Sequence, residues 1–251
     1  MLFVILGALA IGVSLGLMGS GGSILTVPIL HYLVGQPEKL AIAGSLLVVG
    51  AIAAFGGLQS VRRGTVHWRS VLWFGVPGMC GTYFGALLSK HVSGTVQLLL
   101  FDVVMLAASV FMFRPPKLNE GPRREKARWK VVLDGSLVGL LTGFVGVGGG
   151  FMIVPALVLL GGLPMHLAIG TSLLIIALKS FSGFVKYLDV LKELDLHLDF
   201  TVLAWFAGVG IVGSLLGSAA SSRIPQTMLQ RAFAALLLIA GIAILLTLLL
   251  S

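Results

Sequence analysis

The sequence predicts an all-α polytopic membrane protein made of two similar halves. Three observations carry that prediction: a charge-poor composition, apolar runs long enough to span a bilayer, and a glycine and proline pattern that occurs twice. Of 251 residues, 57% are hydrophobic and 10% are charged. A soluble domain carries about 25% charged residues. Mean hydropathy is +1.07. One crossing needs about 20 apolar residues, and such runs recur along the whole chain, which leaves no stretch for a soluble domain. Met1 to Leu17 has neither a basic start nor a small-residue cleavage site, so the first run is expected to belong to the mature protein.

Eight apolar segments run over roughly 2–34, 40–60, 70–89, 95–113, 131–161, 167–188, 200–220 and 227–250. Between the fourth and fifth lies the one substantial polar stretch. It carries Arg114, Lys117, Arg123, Arg124, Lys126, Arg128 and Lys130 against Glu120 and Glu125, with Pro115, Pro116, Gly121 and Pro122. The expected organisation is a first membrane repeat over 1–113, a basic cytoplasmic linker over 114–130 and a second membrane repeat over 131–251. Net charge is +8, but the basic residues sit in connectors, as cytoplasmic loops facing anionic lipid do. No basic domain is present, so nucleic acid is not an expected partner. The single cysteine, Cys80, excludes a disulfide framework and reads as a small packing residue among Gly78 and Gly81.

The halves match at a fixed offset. Gly12, Gly16, Gly19, Gly21, Gly22 and Pro28 recur 127 residues later as Gly139, Gly143, Gly146, Gly148, Gly149 and Pro155. Gly35, Pro37, Leu40-Ala41-Ile42 and Ser45-Leu46-Leu47 recur at the same offset, in Gly162, Pro164, Leu167-Ala168-Ile169 and Ser172-Leu173-Leu174. Gly81 and Gly85 pair with Gly213 and Gly217 at an offset of 132, which a five-residue insertion near Asp189 to Asp195 explains. Chance apolar similarity would not hold so many Gly and Pro positions in register. Many secondary transporters are built from two repeats with the substrate between them.

The first segment of each repeat is too long for one crossing and has a glycine cluster at its middle: Gly19, Ser20, Gly21, Gly22 and Ser23 in the first half, and Gly146, Val147, Gly148, Gly149 and Gly150 in the second. Each glycine costs a helix interior about 1 kcal/mol against alanine, so these clusters are expected to break the helix. Irregular backbone at membrane depth survives only inside protein or beside a cavity. The half-helix after a break presents free N–H groups and a positive dipole end, which suits an anion. The alternative is close helix packing. That is the expectation for Gly12-x-x-x-Gly16, Gly139-x-x-x-Gly143, Gly81-x-x-x-Gly85 and Gly213-x-x-x-Gly217, whereas the denser clusters are read as breaks. A dinucleotide fingerprint is excluded for lack of a βαβ context.

The duplicated glycine turn followed by a proline, and then by the Ser45-Leu46-Leu47 and Thr171-Ser172-Leu173-Leu174 runs, resembles the TauE/SafE sulfite exporter family over almost the whole chain. In the first repeat Ser23 replaces the last glycine of the cluster, and Gly44 stands where the second repeat has Thr171. The resemblance implies transport of sulfite or a small organosulfur or organosulfonate anion across the cell (inner) membrane. The sulfur chemistry comes from the resemblance alone.

Polar residues inside the spans complete the candidate site. Ser45 and Ser172 correspond across the repeat, with Thr171 beside the latter. They could donate hydroxyls to an oxyanion or bond back to their own helices. Lys179, in mid-segment, could supply a cation for an anionic substrate or snorkel toward Lys186 and the polar loop. Asp102 is a coupling candidate that could carry a proton or pair with a cation, although a place near the membrane interface is slightly preferred for it. The histidines show no metal-ligand spacing. No catalytic residue, metal or cofactor is expected, and no Ser/His/Asp grouping supports an intramembrane hydrolase.

Two topologies fit. Full crossing of segments one and five gives parallel repeats, and re-entrant hairpins there give inverted repeats. Each places twelve of the Lys and Arg other than Lys179 inside and four outside, so charge does not choose between them. The over-long broken segments favour inverted repeats. The expected activity is secondary transport of a small anion by alternating access, with a small-anion channel as the alternative and a membrane enzyme or sensor as a weaker third. The expected partners are the anion, the lipid bilayer and, as one assembly open to such a chain, a second copy in a homodimer.

Overall fold

The computed structural model describes residues 2–113, 128–145, 150–221 and 224–250. Most of the expected linker and residues 146–149 of the second glycine cluster lie outside the described residues. Those described form helices and short connections, as lipid requires of an apolar chain whose backbone groups must be satisfied internally. In order they are α1 (Leu2–Met18), α2 (Gly21–Pro28), α3 (Glu38–Arg62), α4 (Trp68–Ser70), α5 (Val76–Ser89), α6 (Gly94–Phe113), α7 (Arg128–Val145), α8 (Gly150–Pro155), α9 (Met165–Glu193), α10 (Phe200–Ser221) and α11 (Gln226–Leu250). The spans Glu38–Arg62, Trp68–Ser89, Met165–Glu193 and Phe200–Ser221 are long and apolar enough to cross a membrane. Shorter apolar helices accompany them.

Local geometry recurs at the offset of 127. Proline lacks an N–H and crowds the carbonyl four residues back, and after both Pro28 and Pro155 the helix widens into a π turn, Ile29–Leu33 and Ala156–Leu160. Gly35 and Gly162 then turn the chain at φ of +75° and +64°. The bonds Gln36 N–H to Leu30 O and Leu163 N–H to Leu157 O are both 3.0 Å.

The first segment is a hairpin. α1 ends at Met18, the chain reverses at Gly19 and Ser20, and α2 runs back along α1. Gly21 packs on Ser14, Gly22 on Ile11 and Leu15, and Gly7 on Ile29. These pairs keep a nearly constant sum of residue numbers, the signature of antiparallel packing. The chain therefore leaves at Val34 on the side where α1 began.

Glycines set the remaining contacts, because their bare Cα lets backbones touch. Gly12 and Gly16 of α1 lie on Gly210 and Ser214 of α10, and Gly139 and Gly143 of α7 lie on Gly78 and Thr82 of α5. The four GxxxG pairs thus make close helix contacts, as read from the sequence. α3 crosses α9 antiparallel, with Gly50 on Ser180 and Gly57 on Leu174. α10 runs parallel to α3, and α5 parallel to α9, through the pairs Gly44–Leu203 and Gly75–Ile175 and, further along, Gly56–Ser214 and Gly183–Thr82.

The core forms around α3 and α9, where Ile42, Val49, Ile52, Ile175 and Ile176 are fully buried. Large apolar side chains stay exposed outside it, among them Leu72, Phe84, Val103, Trp205, Leu216 and Ile239, which is the surface a bilayer would cover. Cys80 belongs to that outward face and not, as expected, to the packing between helices. Its neighbours Gly78 and Gly81 make the helix contact instead.

Candidate functional site

The first break is built from Gly19 outward. Gly19 has φ +69°, a left-handed conformation that costs other residues about 1–2 kcal/mol. Its N–H closes the last turn of α1 on Leu15 O at 2.8 Å. Ser20 heads α2 without capping it through its side chain. Its hydroxyl donates to Met18 O at 3.4 Å, and the Ser23 hydroxyl donates to Ser20 O at 2.7 Å. All five residues from Gly19 to Ser23 are buried.

Ser172 meets this break from the other half of the chain. Its hydroxyl lies 3.0 Å from Gly19 O and 2.8 Å from Ile169 O, so one proton serves two carbonyls. Ser45 donates to Ile42 O at 2.8 Å, the corresponding bond in the first half. Both serines are buried and both bond back to their own helix, while Ser172 also ties the break to α9. Thr171 turns elsewhere and accepts the His67 N–H at 2.9 Å, fastening the loop before α4. Gly150 opens α8. Gly146, Gly148 and Gly149 lie outside the described residues, but α2 and α8, the helices that follow the two clusters, are in contact.

Lys179 does not snorkel. It is 0% exposed, its stem lies over Gly78, and its ammonium is 3.5 Å from Gly135 O and 4.7 Å from the centroid of Phe74. No carboxylate is paired with it among the described residues. Ser172 and Lys179 are seven residues apart on α9, about 10.5 Å along its axis. Lys179 therefore sits where α5, α7 and α9 meet, not against the Gly19 turn.

Asp102 lies apart from both, buried between α6 and α11. Eight residues put it about 12 Å along α6 from Gly94, inside the bundle and not at the slightly preferred interfacial place. Sequence reasoning missed a polar cluster at the start of α6. Lys39 Nζ donates to Ser89 O (2.6 Å), Val92 O (2.8 Å) and Gln97 Oε1 (2.6 Å). Gln97 Nε2 and the Tyr187 hydroxyl both reach Phe144 O, in the last turn of α7. The cluster braces the helix end that leads into the second glycine cluster.

Comparison with known proteins agrees with this architecture. Residues 4–244 match the family "Sulfite exporter TauE/SafE". A protein of Xylella fastidiosa named "Probable membrane transporter protein" is 34% identical over 230 residues, covering 89% of this chain and 86% of its own. One of Methanocaldococcus jannaschii, also named a probable membrane transporter protein, is 27% identical over 189 residues, covering 73% and 70%. A Haemophilus influenzae protein with that name is 25% identical over 256 residues and covers 96% of both chains. No solved structure matches. With helices that can cross a membrane and a family match over nearly its full length, the chain belongs to the TauE/SafE sulfite exporter family of membrane transporters.

Proposed function

We propose that this chain carries a small anion, sulfite or an organosulfonate, by alternating access between two inverted repeats. The observation that carries the anion is Lys179, a fully buried ammonium with no carboxylate partner among the described residues. A lone buried charge is costly, and a counter-ion relieves it. The fold does not need a cation there. In the first half the corresponding residue, at the offset of 127, is Ile52, and it lies over Gly210 as Lys179 lies over Gly78. An apolar side chain fills the equivalent place, so the ammonium is retained for something other than packing.

The inverted arrangement rests on helix directions and on paired contacts. Corresponding helices α3 and α9 run oppositely, and so do α6 and α11. The contact Gly12–Gly210 reappears as Gly139–Gly78, and Gly16–Ser214 as Gly143–Thr82. Exchange of the two halves carries each pair into the other. The half-helix α2 offers its first N–H groups at the Gly19 turn, and such groups lack partners within a helix. Ser172 marks that turn on α9, and a small anion would meet it and Lys179 one after the other.

The test uses purified full-length protein. Lys179→Met keeps length and removes charge. It is expected to fold and to bind sulfite at least about tenfold more weakly by calorimetry, roughly 1.4 kcal/mol. Lys179→Arg should retain part of the affinity. Unchanged affinity in Lys179→Met would remove the lysine from the site. In proteoliposomes a carrier gives counterflow of labelled sulfite against its gradient, whereas a channel only equilibrates it.

A further inference from the structure

α6 and α11 cross antiparallel through two exchange-related contacts. Ser109 of α6 donates to Ala234 O at 3.2 Å, and a methyl group on Gly241 of α11 would lie 3.3 Å from Asp102 Oδ1. Asp102 is 1% exposed, and neither carboxylate oxygen has a hydrogen-bond partner among the described residues. An ionised carboxylate in apolar protein without donors is among the costliest groups a fold can hold. Something must neutralise it.

A paired side chain does not. On α11 the one charged residue is Arg231, which is exposed near the helix start. On α3 the charged residues are Glu38, Lys39 and Arg62, and Lys39 is engaged by Ser89 O, Val92 O and Gln97 Oε1. On α7 they are Arg128, Lys130 and Asp134, and on α8 there are none. No ion pair to Asp102 is present among the described residues. A metal cation would need a cage of several oxygens. The hydroxyl of Ser109, two turns further along α6, is turned to Ala234 O, and no group of three His, Cys, Asp or Glu stands together among the described residues. A proton is the one ligand that a lone carboxyl can hold unaided.

We propose that Asp102 is a proton-carrying site that links the transport cycle to the proton gradient. With its proton, the carboxyl is neutral and the α6–α11 seam stays closed. Without it, water or a counter-ion must reach the carboxylate, and the seam must part. The proton is taken from water on one side of the membrane and returned to water on the other. The seam can pass its state on, because α6 touches α8 and α11 touches α2, the half-helices that follow the glycine clusters. The residue corresponding to Asp102 at the offset of 132 is Ala234, so the second repeat has no carboxyl at the equivalent place.

The proton itself is read by infrared difference spectroscopy of the full chain in lipid during a pH titration. The expected result is a protonated-carboxyl C=O band in the wild type that vanishes as pH rises and is missing from Asp102→Asn and Asp102→Leu. A wild type without such a band, or variants that keep it, overturns the site. Both variants are neutral, and size-exclusion chromatography in detergent checks that they fold. Coupling, which rests on the anion reading above, is read with isethionate, a sulfonate that does not titrate in the working range. A pH gradient should drive its uptake into wild-type proteoliposomes, and in Asp102→Asn the ratio of gradient-driven to exchange uptake should fall at least about tenfold. An equal response to the gradient in both proteins overturns the coupling. Absence of isethionate uptake in both proteins would count against the anion reading and leave the infrared result to decide the proton site.

Discussion

Gly19 admits no other side chain. Its φ is +69°, and a methyl group there would stand 2.9 Å from Ile169 Cα and 2.9 Å from Ser172 Oγ. Gly64 has the same φ but nothing within 4 Å of an added methyl, which makes it the control. Gly64→Ala should cost only the left-handed conformation, about 1–2 kcal/mol. Gly19→Ala should cost that and about 1–3 kcal/mol more from overpacking. Thermal unfolding of the purified variants measures the difference, and equal midpoints would mean the Gly19 turn is not tightly held. The glycine cluster made this turn legible, because so many helix-weakening residues inside an apolar run predict a break. The contact with Ser172 was not legible, since spacing along one segment does not say which helix a turn will pack on. Lys39 was hidden for a related reason. It reads as an ordinary connector charge until the fold brings the carbonyls of Ser89 and Val92 to it.

Helix pairs show the same division between what pattern reveals and what only packing decides. The GxxxG pairs announced close contacts, and the structure has them. The choice of partner, α1 with α10 and α7 with α5, was invisible because each glycine stripe would accept any other. The widened turns after Pro28 and Pro155 were equally hidden, since proline marks a disturbed helix without specifying how its hydrogen bonds re-form. Exchange-related contacts give a test of the pairing. Gly12→Ala would drive a methyl group onto Gly210 O, and Gly139→Ala would drive one onto Gly78 O. Overpacking of this kind costs about 1–3 kcal/mol, so the two variants should lose similar stability. A large loss in one with none in the other would show that the halves do not carry equivalent seams.

For the molecule as a whole the open choice was between parallel and inverted repeats, and the two predict different sides for particular loops. The hairpin of α1 and α2 returns the chain to its starting side, so α3 begins there. The antiparallel crossing of α3 and α9 then places the end of α9 at that same side. Contacts between connectors agree. Lys90 pairs with Glu193 at 3.4 Å at one end of the bundle, while Arg63 reaches Ser218 at 2.8 Å at the other. Arg62, Arg63 and Arg69 gather at the second end, and Glu193, Asp195 and Asp199 at the first. By the excess of basic residues the second end is expected to face the cytoplasm. Single cysteines placed in a Cys80→Ser background test this with a membrane-impermeant maleimide on intact cells. His91→Cys should label from outside and Arg63→Cys only after permeabilisation, and both topologies agree on these two. His197→Cys and His166→Cys discriminate. Inverted repeats put position 197 outside and position 166 inside, and parallel repeats exchange them. Both histidines are exposed, so failure to label reports sidedness and not burial. Labelling at 166 but not at 197 in intact cells would refute the inverted arrangement and, with it, alternating access between two oppositely oriented halves.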